Sequence, residues 1–469
     1  MLKKLRITNN RTEYVLFIIA IIVSLLYIFT IAQSDMRTIA NWGYDLLESI
    51  KLGALSEFPA YTNDLRQMPS NYTMLANMTT AAWLSPLYII QNIIGNTFPI
   101  EIYWLWYKCL IGIIHFVNVY LIGKVLSKLN VASRNINIIR ILYMLSTIVL
   151  VTVIGQGQID MICLLFVLLG YHYLIDGKYM LMALMFGISL IFKPFALLMV
   201  VPVLILLSAK LKGRTLLSAL ITALPYGINV LATKLIMPEY DRYVNLVNEQ
   251  SKEIMGSNRI EEIFALRINS ILVFFAAMLI LCFICYYRSW HNGIKITDYI
   301  ILPTLGFMMY ALFVSPAAYW FIIIIPSLYL MGQFFEKRYE FYLLNLGINI
   351  GCMINVYFSE KQYSPSPELS VIGYITGHEQ SQFLYRVFDS DIITYIQFIS
   401  CTLFVVCALI IIGMFIYKLH KDKSDMRDIQ CIQKGVNTNT YTRTDNAWLI
   451  IQAAPALVYL GFSYIQYFM

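Results

Sequence analysis

The chain has 469 residues, of which 59% are hydrophobic, 14% aromatic and only 13% charged, against roughly 25% charged in an ordinary soluble domain. With the charges clustered between apolar runs, this composition excludes a string of water-soluble domains and points to one polytopic membrane protein. The excess of 34 Lys and Arg over 27 Asp and Glu gives +7, which membrane topology accounts for without a nucleic-acid partner.

Met1 to Arg11 carries Lys3, Lys4, Arg6 and Arg11, and the apolar run from Tyr14 to Ala32 follows with no small-residue cleavage site. It reads as an uncleaved first span with its amino end in the cytoplasm. Next comes Ser34-Asp35-Met36-Arg37 and a stretch with Ile39, Trp42, Leu46, Leu47 and Ile50 at helical spacing, closed by Gly53. This is an interfacial helix. Asp35 at its start serves either as a cap favourably placed near the helix dipole or as a general base at the edge of a lipid-accessible cavity. Pro59 and Pro69 bracket a polar stretch, and LANMTTAAWLSPLYIIQNIIG, interrupted by Pro86, reads as a second juxtamembrane helix.

Further spans are expected at 101–123, 137–155, 159–175, 215–236, 268–287, 298–314, 317–334, 341–358, 392–417 and 447–467, with a hairpin over 179–209. The fold class is therefore all-α and polytopic, with about 11 to 13 transmembrane helices: a catalytic transmembrane domain over 1–417, a cytoplasmic polar linker over 418–446 and a last span over 447–469. Alternating the loops puts 22 of the 34 basic residues on one side and 10 on the other, which makes the first side cytoplasmic and the long loops 33–100, 237–267 and 359–391 extracytoplasmic. The active surface and the carboxyl terminus are expected outside, in the plasma membrane of the cell.

Three constellations carry chemistry. One is Asp35. Another is Gly155-Gln156-Gly157-Gln158-Ile159-Asp160, an outer turn between two spans too short to hide its polar groups, where Gln158 and Asp160 are site-lining candidates. The third is Lys193-Pro194 in the middle of an apolar run. Lys178 at one end and Lys210, Lys212 and Arg214 at the other require both ends of that run on the cytoplasmic side, so the chain turns back at the Lys-Pro step and Lys193 sits at the apex. There it pairs with an acid, binds a phosphate or snorkels to the membrane surface.

In the outer loops, Arg259 and Arg267 can grip a phosphate bidentately, and His378 and Arg386 are further phosphate or acceptor contacts. Asp389-Ser390-Asp391 has the spacing of a metal-binding pair but also the position of a helix start, so neither metal nor other cofactor is expected. His115 and His172 read as structural histidines, and the eight cysteines, Cys282-x-x-Cys285 included, as apolar packing groups.

The order of these features resembles the polyprenyl-phosphate-sugar-dependent integral membrane glycosyltransferases of the GT-C fold, which are mannosyltransferase-like. The features are a short span, Asp35, Trp83-Leu84-Ser85-Pro86-Leu87-Tyr88, and then the G-Q-x-D, G-K and aliphatic-K-P progression over residues 155–207. The resemblance covers the amino-terminal half closely. It implies a hexosyltransferase with Asp35 as the base and Gln158, Asp160 and Lys193 lining the cavity. The partners it implies are a polyprenyl-phosphate-linked sugar donor and a lipid-linked or glycan acceptor, in cell-envelope glycan biosynthesis. Family members often carry a basic residue before a late proline-bearing span, whereas this chain has the uncharged Ser315-Pro316-Ala317-Ala318-Tyr319-Trp320 there. The donor-phosphate role then passes to Lys193 and the outer-loop arginines. Two rival readings are a flippase or transporter for lipid-linked glycans, which should show related halves, and a polysaccharide polymerase or ligase, which should depend on Arg259, Arg386 or His378.

Overall fold

A computed structural model describes residues 11–32, 34–66, 70–243, 245, 270–292, 294, 296–314, 318–335, 338–358, 390–421 and 443–468. The fold is all-α: helices and turns account for the described residues, with no strand among them. The amino-terminal helices are α1 (Arg11–Thr30), α2 (Ser34–Lys51), α3 (Phe58–Arg66), α4 (Met74–Ile94), α5 (Ile100–Lys128) and α6 (Ser133–Leu145). After a π-helical segment over Ile148–Gly155 come α7 (Asp160–Ile175), α8 (Tyr179–Phe192), α9 (Leu197–Leu206), α10 (Ser208–Leu211) and α11 (Thr215–Ile236). The remainder comprises α12 (Ser270–Tyr287), α13 (Asp298–Val314), α14 (Ile325–Gly332), α15 (Arg338–Phe358), α16 (Ser390–Lys421), α17 (Arg443–Ile451) and α18 (Ala454–Phe468).

Among the described residues, five segments are long and apolar enough to cross a bilayer unaided, namely Thr12–Thr30, Ile100–Lys128, Ser208–Ile236, Leu272–His291 and Tyr395–Tyr417. A sixth is α6 with the π-helical segment, bent by 48° where Ser146 is extended. Asp160–Ile175, Tyr179–Phe192, Pro194–Leu206, Asp298–Phe313 and Asn446–Phe462 are apolar but shorter. Short helices of this kind span only when tilted neighbours or a thinned bilayer make up the difference.

The distribution of side chains on α11 shows which solvent the fold is built for. Its buried residues are the polar Ser218, Thr222, Asn229 and Thr233, whereas Leu216, Leu220, Leu224, Leu231 and Leu235 are each more than half exposed. A helix with its apolar stripe outward is the reverse of a soluble amphipathic helix and suits a lipid surround. The inward polar stripe meets the open end of α4. Thr233 Oγ1 accepts from the Met74 amide at 3.0 Å and Asn229 Oδ1 from the Leu75 amide at 3.1 Å, so two amides orphaned at the helix start are satisfied inside the protein.

Two expectations about the first outer loop change. The stretch after Pro59 forms α3, and α4 runs unbroken through Pro86. Proline leaves the carbonyl four residues back without its amide partner. Here Ser85 Oγ donates to that carbonyl, of Ala82, at 2.8 Å. The helix is clamped to α5 by Trp83 and Trp106, which stack at 5.1 Å and donate to each other's backbone carbonyls at 2.7 and 2.8 Å.

The expected reversal at Lys193-Pro194 is present. Lys193 is extended (φ −147°, ψ 109°), and at the far ends of the two arms Lys210 Nζ lies 5.4 Å from the Tyr179 ring, so the chain leaves and returns to one level. The arms then diverge, α8 packing on α7 and α11, and α9 on α12 and α13. Gly170 permits the first of these contacts, since a Cβ there would stand 2.3 Å from the Phe186 ring.

Candidate functional site

Five side chains from four separate stretches meet at the end of the bundle where α2 and α7 begin. Asp35 lies in the first turn of α2, half-buried, and its Oδ2 accepts a hydrogen bond of 2.7 Å from Gln158 Nε2. Gln158 Oε1 accepts in turn from the Tyr72 hydroxyl at 3.4 Å. With both ends of the amide engaged, one as donor and one as acceptor, the orientation of Gln158 is dictated by its neighbours. Lys193 Nζ donates to the same Tyr72 hydroxyl at 3.4 Å and forms an ion pair of 3.1 Å with Asp160 Oδ2. The pair is deeply enclosed: Asp160 is 0% exposed and Lys193 7%.

The Asp35 carboxylate reaches across 123 residues of sequence to the G-Q-x-D turn. What lets the two segments approach is Gly157. It holds φ +60°, and a Cβ there would lie 2.6 Å from Met36 Cγ and 3.2 Å from Met36 Cα. The glycine is thus needed twice, for the left-handed backbone and for the close passage of α2. Its carbonyl accepts from the Tyr107 hydroxyl at 2.7 Å, which ties the turn to α5.

The electrostatics divide the two acids. Burial pushes the Asp35 carboxyl up to about 6, with Asp160 adding to the rise, while Lys193 and the Gln158 hydrogen bond hold it down. Lys193 is committed first to Asp160, so Asp35 keeps a carboxylate whose proton can be exchanged near neutral pH. That is the requirement of a general base.

Aromatic rings frame the cation. Lys193 Nζ lies 5.2 Å from the centre of the Tyr72 ring and 5.1 Å from that of Tyr319, within the range of cation–π attraction. Trp42 packs edge-on against Tyr72 at 5.5 Å, and Trp320 stacks on Phe195 at 3.9 Å. The uncharged segment ending in Tyr319-Trp320 thus contributes to the site through its rings.

Of the sequence-predicted residues, Asp35, Gln158, Asp160 and Lys193 come together. Tyr72 and Tyr319 join them, and no motif in the sequence marks either as a site residue. Arg259, Arg267, His378 and Arg386 lie outside the described residues, as does Asp389 of the D-x-D. Lys193 has a carboxylate partner in Asp160, at 3.1 Å. His115 is buried, with Nε2 3.2 Å from Ser24 Oγ and its ring stacked on Tyr143 at 5.5 Å, consistent with a structural histidine.

Residues 80–325 match the sequence model of glycosyltransferase family 87, and a search of curated proteins gives no match. The matched stretch runs from α4 into α14 and includes Gln158, Asp160, Lys193 and Tyr319, with Asp35 and Tyr72 preceding it. With more than half of this helical membrane chain covered, the protein belongs to glycosyltransferase family 87.

Proposed function

We propose that this glycosyltransferase moves a single sugar, a hexose, from a polyprenyl-phosphate-sugar donor to a lipid-linked or cell-surface glycan acceptor at the outer face of the plasma membrane, with inversion at the anomeric carbon. The observation that carries this reading is the Asp35 carboxylate held by Gln158 beside the enclosed Lys193–Asp160 pair. In a single displacement the acceptor hydroxyl gives its proton to Asp35 while its oxygen bonds to the anomeric carbon. The bond from that carbon to the donor phosphate breaks, and its electrons leave on the lipid phosphate. A lipid phosphate is a good leaving group and needs no proton from an acid. The protein supplies a base on one side and positive charge on the other. Asp35 fills the first role. Lys193, with Arg259 and Arg267 of the outer loop, fills the second, and His378 and Arg386 contact the phosphate or the acceptor. Attack on one face with departure from the other inverts the configuration.

Washed membranes carrying the protein, offered a panel of radiolabelled polyprenyl-phosphate monosaccharides and the corresponding nucleotide sugars, test the donor class. Transfer from one polyprenyl-phosphate sugar is expected. Transfer from a nucleotide sugar in membranes free of polyprenyl phosphate would overturn this reading.

A further inference from the structure

The hydrogen bonds that join the two halves of the polar site run in one direction. Lys193, paired with Asp160 as an ammonium, has donors only, so at its contact with Tyr72 the phenolic oxygen accepts. That leaves the single Tyr72 proton for Gln158 Oε1, which can only accept. The other end of the amide is Nε2, and it donates to Asp35 Oδ2 at 2.7 Å. Lys193, Tyr72, Gln158 and Asp35 are thus linked by hydrogen bonds whose donors all lie on the lysine side. The two bonds at Tyr72 are 3.4 Å each, long for their kind, so they act through direction more than through strength.

Tyr72 is fixed by the stretch that carries it. Its carbonyl accepts from Asn77 Nδ2 at 2.9 Å, the Asn71 carbonyl from the Tyr240 hydroxyl at 3.2 Å, and Thr73 Oγ1 from Asn229 Nδ2 at 2.6 Å. These bonds tie residues 71–73 to α4, to α11 and to the chain just beyond α11. A hydroxyl on so well-held a stretch can impose one orientation on the amide facing it.

That orientation decides which form of Asp35 the site favours. With Nε2 facing it, an ionised Asp35 accepts a charge-assisted hydrogen bond that a protonated one gives up. With the amide reversed, Oε1 would repel the carboxylate and accept from the protonated acid. Tyr72 opposes the reversal, because its proton would then meet Nε2, donor against donor. Among the described residues, the charged groups acting on Asp35 are Lys193 and Asp160. From the helices packed on α2, α4 brings no charged residue, and the Tyr107 hydroxyl of α5 is given to the Gly157 carbonyl. Arg37 of α2 itself lies over the Trp104 ring, 5.2 Å from its centre.

We infer that Tyr72 is a positioning residue for the transfer: by fixing the Gln158 amide it keeps Asp35 in the ionised, proton-accepting form. This rests on the reading of Asp35 as the base.

The test is an infrared titration of the Asp35 carboxyl in the purified full chain, its band identified by its loss in Asp35→Asn. It needs no substrate. The pH profile of kcat/KM is measured on the same preparations, with whichever polyprenyl-phosphate sugar the donor panel shows to be active. Tyr72→Phe should move the titration and the acid limb of kcat/KM upward together, by about half a pH unit, the low end for a lost hydrogen bond. Gln158→Met should move both upward as well, and adding Tyr72→Phe to it should move neither further, because the phenol acts through the amide. A monofluorinated tyrosine at position 72, of nearly the same shape but a stronger donor, should move the titration downward and serves if the phenylalanine variant fails to fold. An unmoved titration in Tyr72→Phe, or in the fluorinated protein, would overturn the inference and leave Tyr72 as a packing contact, with Asp35 still free to be the base. Additive shifts in the double variant would also overturn it, since Tyr72 would then reach Asp35 by another route. A titration that moves while the acid limb stays in place would fault the base reading itself and take the positioning role with it.

Discussion

Asp35 owes its candidacy to water it has lost. Burial raises its carboxyl to about 6 despite the nearby Lys193, and a base must be ionised to take a proton. The kcat/KM for transfer should therefore be level above about pH 7 and fall as pH drops below about 6, approaching tenfold per unit. Stability should move the opposite way. The folded carboxyl holds its proton more tightly than the unfolded one, near 3.9, so its contribution is present at acid pH and lost as pH rises through about 6. A pH profile of initial rates checks the first statement, and a level profile from about pH 5 to 7 would speak against Asp35 as the base. Gly157 is the second residue with a sharp expectation. Gly157→Ala adds a Cβ 3.2 Å from Met36 Cα at a left-handed φ. It should cost about 1 to 3 kcal/mol and separate Gln158 from Asp35. Thermal unfolding and transfer measured on the same preparation would reveal both losses; a variant unchanged in both would show that α2 and the turn are not held as described.

At this scale the acids and the lysine were legible because charge in an apolar run is costly and stands out. Tyr72 was not, because it is one of 34 tyrosines and its importance arises from partners 86 and 121 residues away.

Between helices, the Lys193–Asp160 pair ties the apex of the α8–α9 reversal to the first turn of α7. Lys193→Met should strand the Asp160 carboxylate in a water-poor site and destabilise the fold by about 3 to 5 kcal/mol, because breaking a buried pair leaves one charge uncompensated. The double variant Lys193→Met, Asp160→Asn should recover much of that loss. Chemical denaturation of the single and double variants decides it. If Lys193→Met keeps its stability, the lysine is not a structural partner and its principal role is with the donor. The reversal itself was legible in the cations at 178 and 210–214, which fix both arm ends on one side. The continuity of α4 was not, since the cure for Pro86 is a single hydroxyl, Ser85, bonding the freed carbonyl. Nor was α3, a nine-residue helix in a polar stretch without a clear apolar period.

For the molecule as a whole, the inverted side-chain distribution of α11 suits a bilayer, and the proposed orientation in it rests on the 22 to 10 partition of basic residues. Single cysteines at Asn63, Asn258 and Gln380 should react with an impermeant maleimide in intact cells, and those at Gly213 and Asn437 only after permeabilisation. Labelling of Gly213 from outside would reverse the orientation and put the Asp35 cluster on the cytoplasmic face. The central claim, that Asp35 removes the acceptor proton during sugar transfer, is met most directly by Asp35→Asn in the purified protein, assayed for transfer alongside donor binding. The amide keeps the size of the side chain and can still hydrogen-bond Gln158 but has no basicity, so donor binding should persist while transfer falls by about 10² to 10⁴-fold. Transfer at close to the wild-type rate would contradict the account and leave Asp35 as a structural contact of Gln158.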